Sequence, residues 1–147
     1  MSDFELPQQY DAVLCLFSSI GYLQTLDRVR RAFSCFRDRL TPQGIIIVEP
    51  WFAPGVLEPG RVTRQTAEAN GIRVSRVSRV EIEGNISRLF FEYEISDSTG
   101  TRHASELHEL GLFTTTELLR TFEDAGLQAD YDPKGLTERG LYIARIP

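Results

Sequence analysis

The sequence predicts an α/β fold in which a parallel strand–helix–strand unit is joined to an antiparallel β-meander. Three observations predict it. Two continuous apolar runs, residues 12–16 and 45–48, bracket a stretch whose apolar residues repeat at spacings of three and four. Two strand-like runs, 72–83 and 86–96, flank Gly84-Asn85, a hairpin turn signal. A capping-box sequence at Thr114 opens a second helix, and two short strands follow it.

Each element has its own cause. The run 12–16 reads as a buried strand of the kind that sits in mid-sheet with neighbours on both sides. After a polar turn over 17–22, Thr25 can cap a helix over 26–40, with Leu26, Val29, Phe33, Phe36 and Leu40 forming one apolar face. Asp27 in its first turn and Arg37 and Arg39 in its last suit the helix dipole. Pro42 and Gly44 are expected to stop it. The strand 45–48 follows, β-branched throughout, and a strand–helix–strand order implies parallel pairing.

The middle changes character. Residues 53–60, with Pro54, Gly55, Pro59 and Gly60, read as an ordered loop. In 86–96, Leu89, Phe91, Tyr93 and Ile95 alternate with charged residues, so one face is buried and one wet. A turn over 97–100 leads to a third strand over 101–113, so an insert spanning 72–112 is expected within a single domain, 1–147. Thr114 and Glu117 then open a helix that Gly126 ends, before closing strands over 127–132 and 140–146.

Composition narrows the function classes. A net charge of -5 with scattered arginines gives no basic stripe, which argues against nucleic acid as a partner. No apolar run approaches the roughly 20 residues of a membrane span, so the expectation is a soluble, cytoplasmic protein without a membrane partner. The two cysteines, Cys15 and Cys35, make no disulfide framework and read as buried thiols. No Gly-x-Gly turn occurs, and no side-chain cluster has metal-ligand spacing.

The turn Phe17-Ser18-Ser19-Ile20-Gly21-Tyr22 is the most informative candidate. It follows the carboxyl end of a parallel strand, where open α/β sheets place their ligands. Its serines offer hydroxyls, Gly21 permits close backbone approach, and Phe17 and Tyr22 supply walls. The alternative is a polar connection with two packing aromatics. Glu49-Pro50-Trp51-Phe52 follows the neighbouring strand. Glu49 beside the only tryptophan can hold a cation or accept a proton, or it can bond a nearby backbone amide while Trp51 only packs. His108, on the same side of its strand as Leu110 and Leu112, is a candidate base or a bonded structural residue.

Four stretches in order, "YDAVLCLFSSIGYL", "LTPQGIIIVEPWF", "LHELGLFTTTELLRTFEDAGL" and "GLYIARIP", resemble class I S-adenosylmethionine-dependent methyltransferases. Within that family the likeness is closest to the N-methyltransferases of nucleotide-linked amino sugars, where "FSSIGYL", "VEPW", a hairpin insert and a "GRGL"-like ending (here "ERGLYIAR") recur in this order. The resemblance implies a partial Rossmann-like sheet, strands 4, 5, 7 and 6 of a family order 3-2-1-4-5-7-6, with an antiparallel insert roofing the pocket. Strands 1 to 3, with the glycine-rich cofactor turn, would precede residue 1, and "MSDF" resembles a "DM-x-DF" stretch of the family.

Carried over by that resemblance, Phe17 and Ser18 would line the methionine side of S-adenosylmethionine. Ser19, Gly21, Trp51 and His108 would contact a small-molecule acceptor, an amino sugar or similar compound. Tyr22 or Glu49 would assist deprotonation of the attacking amine. Without its donor half the isolated chain is expected to be inactive. Its partner would be a missing N-terminal half or, through strand swapping or edge pairing, a second copy. A non-catalytic oligomeric binding module reusing the half-fold is the competing expectation.

Overall fold

The computed structural model describes every residue except Ser2, Asp3 and Glu5, so the likeness expected at "MSDF" lies largely outside the described residues. In chain order the elements are β1 (Tyr10–Cys15), a 3-10 turn (Ser19–Leu23), α1 (Leu26–Asp38), β2 (Leu40–Val48), β3 (Val62–Ala69), β4 (Ile72–Glu83), β5 (Ile86–Asp97), β6 (Gly100–Gly111), α2 (Thr115–Asp124), β7 (Gln128–Asp132) and β8 (Leu141–Arg145). They fall into two compact units, Met1–Val56 with Leu110–Pro147, and Leu57–Glu109.

The first unit carries a sheet in the order β1-β2-β8-β7. β1 and β2 are parallel, with Ala12 opposite Ile45 and Cys15 opposite Val48. β8 runs antiparallel to both β2 and β7, so β7 again points along β2. This is the 4, 5, 7, 6 order that the resemblance implies. α1 and α2 supply the apolar layer. Phe33 of α1 stacks flat on Phe122 of α2, with centroids 3.8 Å apart, and Phe122 meets Tyr142 of β8 at 5.6 Å. Val29, Ala32, Phe36, Ile46, Val48 and Leu118 are among the residues packed with them in the buried centre.

Local chemistry fixes the helix ends. The Thr25 hydroxyl accepts the Arg28 amide at 3.4 Å and opens α1. Thr114 and Glu117 form a reciprocal capping box that opens α2. At the other end Gly126 takes a positive φ of 74° and Arg37 donates to the Ala125 carbonyl at 2.7 Å, which satisfies a terminal carbonyl with a cation.

β1 is an edge strand, as the implied 4, 5, 7, 6 order requires: among the described residues it pairs on one side only, and Leu14 is 59% exposed. Two expectations are corrected here. α1 ends at Asp38, two residues before the expected Leu40, and β2 begins at Leu40. Pro42 and Gly44 therefore do not end a helix. They lie in a bulge between the Tyr10–Leu40 and Ala12–Ile45 pairs, where proline leaves no ladder bond unmade. A Cβ at Gly44 would come within 2.7 Å of the Leu40 side chain, so the bulge closes tightly on itself.

The second unit is built on an antiparallel sheet in the order β3-β4-β5-β6, and the last two residues of β6 belong to the first unit. β4 and β5 match the expected strands and pair from Arg73–Ser96 to Glu83–Ile86. β3 was not expected, and it extends the sheet ahead of residue 72. Every residue of β3 is exposed, so the sequence VTRQTAEA shows no alternation to read. Its turn, Asn70-Gly71, has positive φ at both residues, 52° and 75°, which suits a two-residue hairpin. Hydroxyl pairs Thr63–Ser78 and Thr66–Ser75 reinforce the ladder.

If the capping box and the stacked ring pair act as described, Thr114→Ala lowers stability by about 1 kcal/mol and Phe122→Ala by about 3–5 kcal/mol. Urea unfolding at neutral pH measures both as shifts in midpoint, with the slope of the Thr114 variant unchanged.

Candidate functional site

The parallel register of β1 and β2 brings their carboxyl ends together, and the two following segments lock onto each other. The Glu49 amide continues the ladder by donating to the Cys15 carbonyl at 2.9 Å. The chain then turns sharply after Leu16. Phe17 and Ser18 both adopt left-handed backbone, φ 54° and 58°, although neither is glycine. Each such residue costs about 1–2 kcal/mol, so the turn must be held.

It is held from the other segment. The Phe17 amide donates to Glu49 Oε2 at 2.6 Å, a short charge-assisted bond. The Ser18 side chain is 1% exposed, and its hydroxyl donates to the Pro50 carbonyl at 2.8 Å. Ser19 closes the turn by donating to the Leu16 carbonyl at 2.6 Å, and the Gly21 amide donates to the Ser18 carbonyl. A Cβ at Gly21 would lie 3.1 Å from both Trp51 Cβ and Leu110 Cδ2. The close approach that glycine permits here is therefore that of protein side chains.

Glu49 itself is 1% exposed. Its Oε1 accepts the Thr137 hydroxyl at 2.5 Å and the Arg139 guanidinium at 3.2 Å, and Arg139 Nε also donates to the Thr137 oxygen at 2.9 Å. Burial disfavours the charged carboxylate. The bonds from Thr137, Phe17 and Arg139 outweigh it, so the carboxyl stays below the usual glutamate range. Arg139 also stands 5.7 Å from the ring centroids of Trp51 and Phe52, which meet edge to face at 4.7 Å.

The structure thus brings Phe17, Ser18, Ser19, Gly21, Tyr22, Glu49 and Trp51 onto two segments at one sheet edge. Phe17 is 83% exposed and Tyr22 49%. His108 lies in the second unit, where its Nε2 is 3.2 Å from Glu106 and its ring packs 5.1 Å from Phe91. Thr137 and Arg139 were missed by the sequence reading. They lie 88 and 90 positions from Glu49, and no spacing or motif links them.

Other features offer less. A wide-open groove of about 500 Å³ on the second unit is lined by Gln65, Thr66, Ala67, Val74, Arg76 and Tyr93, none of which belongs to the segments 17–22 and 49–52. Cys15 is buried, its thiol pushed up to about 11 by burial, while Cys35 is half-buried. Among the described residues no group of three or more His, Cys, Asp or Glu is arranged to hold a metal ion. No helix among them is long and apolar enough to cross a membrane.

Comparison with known proteins gives this edge its context. No family model matches the chain. Over 97% of its length it is 36% identical to dTDP-3-amino-3,4,6-trideoxy-alpha-D-glucopyranose N,N-dimethyltransferase of Streptomyces venezuelae, covering 61% of that protein. It is 38% identical to dTDP-3-amino-3,6-dideoxy-alpha-D-glucopyranose N,N-dimethyltransferase of Streptomyces fradiae, covering 56% of it. The crystal structure of Streptomyces venezuelae DesVI superposes with a TM-score of 0.94 at 35% identity, over 99% of this chain and 62% of that one. S-adenosylmethionine-bound CalS10, an amino pentose methyltransferase from Micromonospora echinaspora, gives a TM-score of 0.87 at 33% identity, over 97% and 61%.

The chain therefore spans about three-fifths of the length of the curated relatives it matches. The resemblance read from the sequence is shown: by sequence and fold the chain is related to the amino-sugar N-methyltransferases among class I S-adenosylmethionine-dependent methyltransferases. It matches them as a C-terminal portion of that fold would.

The depressed Glu49 pKa has a consequence for stability. A carboxyl whose folded pKa lies below its unfolded value of about 4.3 stabilises fully above that value and loses the contribution as pH falls through the folded pKa. Wild-type stability is therefore expected to fall more steeply than that of Glu49→Gln between about pH 5 and pH 2. Urea midpoints across that range measure the two slopes, and parallel curves would contradict the assignment.

Proposed function

We propose that this chain forms the acceptor-side portion of an S-adenosylmethionine-dependent N-methyltransferase that acts on a nucleotide-linked amino sugar. One observation carries the reading. The two segments at the carboxyl ends of adjacent parallel strands, 17–22 and 49–52, form a braced and partly exposed edge, in a chain related throughout to dTDP-amino-sugar N,N-dimethyltransferases. Open α/β sheets bind ligands at this edge.

The residues present fit one side of the cofactor. Phe17 offers an exposed ring on a rigid left-handed turn, which suits a wall along the methionine moiety. Ser18 has its hydroxyl committed to Pro50, so its contribution is through backbone and through fixing the turn. The glycine-rich turn expected for the remaining contacts is not found in the sequence. When bound, S-adenosylmethionine supplies the activated methyl group.

The chain's own residues then act on the acceptor. Ser19, Gly21 and Tyr22 shape the approach, with Trp51 as a neighbouring wall. Tyr22, half exposed, is the group that orients the amine and assists loss of its proton. Glu49 suits that role less, because Phe17, Thr137 and Arg139 already occupy its oxygens. His108 is assigned to the acceptor side by resemblance alone. Alignment of donor and acceptor supplies most of the rate.

Fusing this chain behind the N-terminal portion of the Streptomyces venezuelae relative tests the reading. The chimera is expected to transfer a labelled methyl group to a dTDP-amino sugar, and Tyr22→Phe to slow it by about 10- to 100-fold. A folded chimera that binds S-adenosylmethionine without methylating any such sugar would contradict it.

The partner reading belongs to the same proposal. The one-sided edge of β1, with Leu14 exposed, invites either a further segment of the enzyme or a second copy. The isolated chain is expected to self-associate at micromolar concentration, and Leu14→Lys to reduce this. Light scattering that finds only monomer in the wild type would contradict it.

A further inference from the structure

We propose that Glu49 is a positioning residue whose ionised carboxylate holds the Phe17-Ser18 turn in its left-handed form and ties it to residues 137–139, so that three separate segments are set as one. The inference rests on the proposed function for its consequence in catalysis, but its structural core stands alone.

Four observations carry it. The carboxylate is buried to 1% yet every bond to it comes from elsewhere in the chain: the Phe17 amide on Oε2, and Thr137 and Arg139 on Oε1. Both residues of the turn it holds are in backbone that L-residues avoid, and the Phe17 ring is exposed, so the ring's own packing is a poor restraint. The second hold on the turn, Ser18 on the Pro50 carbonyl, comes from the residue immediately after Glu49. Finally, the segment bearing Thr137 and Arg139 has its own left-handed residue at Glu138, φ 61°, flanked by the two donors. One carboxylate thus collects strained backbone from two loops.

A proton on Glu49 would weaken each of these contacts. It would abolish the charge that strengthens the Phe17 and Arg139 bonds, and a protonated oxygen would face a donor. The charged group bonded to Glu49 among the described residues is Arg139. The residues paired with the adjoining Val48 are Cys15 and Tyr142, whose groups burial pushes up to about 11 and about 12, so neither titrates in the acid range. Glu138, between the two donors, is the other carboxyl in these segments, so the Glu49→Gln variant assigns the acid transition.

The test uses the whole chain. By NMR between about pH 2 and pH 8, the Phe17 amide proton is expected far downfield at neutral pH and to move with the same midpoint as the Glu49 carboxyl carbon, below the usual glutamate range. Thr137→Val, which keeps the carboxylate, raises that midpoint while leaving the Phe17 shift at neutral pH in place. Glu49→Gln removes the titration of the Phe17 amide and changes the fluorescence of Trp51, the only tryptophan. A Phe17 amide indifferent to Glu49 ionisation, in wild type and in Thr137→Val, would overturn the proposal, even if Glu49→Gln failed to fold.

An activity arm separates this inference from the functional reading. In the methylating chimera, Glu49→Gln is expected to lower kcat about 10- to 100-fold across pH 6–9 without removing a limb of the pH–rate profile. Loss of a limb would assign Glu49 to proton transfer and overturn the positioning role. A chimera inactive in every form would sink the functional reading and leave the NMR result to decide the positioning role alone.

Discussion

The parallel pairing of β1 with β2 is the constraint on which the rest of the first unit depends. Its register sets Cys15 beside Val48, and the Glu49 amide extends the ladder by one bond onto the Cys15 carbonyl. Both chains therefore leave the sheet at the same level. A slip by one residue would turn each side chain of β1 to the opposite face and carry Phe17 away from the Glu49 carboxylate. The strained turn would then have no compensation. The buried layer protects this register from one face, because Phe33 and Phe122 stack beneath it and Ile46 and Val48 pack with them.

Burial and polarity are divided sensibly along this edge. Ser18 and Glu49 are the polar groups taken fully inside, and each has its partners satisfied within the chain. A buried carboxylate lacking such donors would be costly or would take up a proton. The aromatic residues Phe17 and Tyr22 remain outward. Braced backbone beneath and accessible rings above is an arrangement suited to holding a ligand in one orientation, which the proposed in-line methyl transfer would demand. The second unit stands on different physics: its strands are tied by long ladders, hydroxyl pairs and exposed ion pairs such as Arg88–Glu83 and Arg88–Glu109.

How much of this could be read from the sequence depended on how local the cause was. α2 was legible to the residue because its capping box lies within four positions and its end is marked by Gly126. β4 and β5 were legible because alternation and Gly84-Asn85 coincide. β3 was not, since a strand with both faces exposed has no period to display, although Asn70-Gly71 carried a turn signal that went unused. The start of β2 was misread because Pro42 and Gly44 look like breakers when the bulge that accommodates them is unknown. At the site, both segments were found from strand order, and the alternative that Glu49 bonds a backbone amide is the geometry observed. Thr137 and Arg139 were invisible, because only tertiary folding brings them to Glu49.

Amide hydrogen exchange on the intact chain tests the central claim most directly. Phe17 is among the most exposed side chains of the molecule, yet its amide should exchange as slowly as that of Glu49 and close to the rate of Ile46 in the sheet, since all three open together. Exchange of the Phe17 amide at the rate of an unprotected loop amide, with Glu49 still protected, would show that the two segments are not braced against each other.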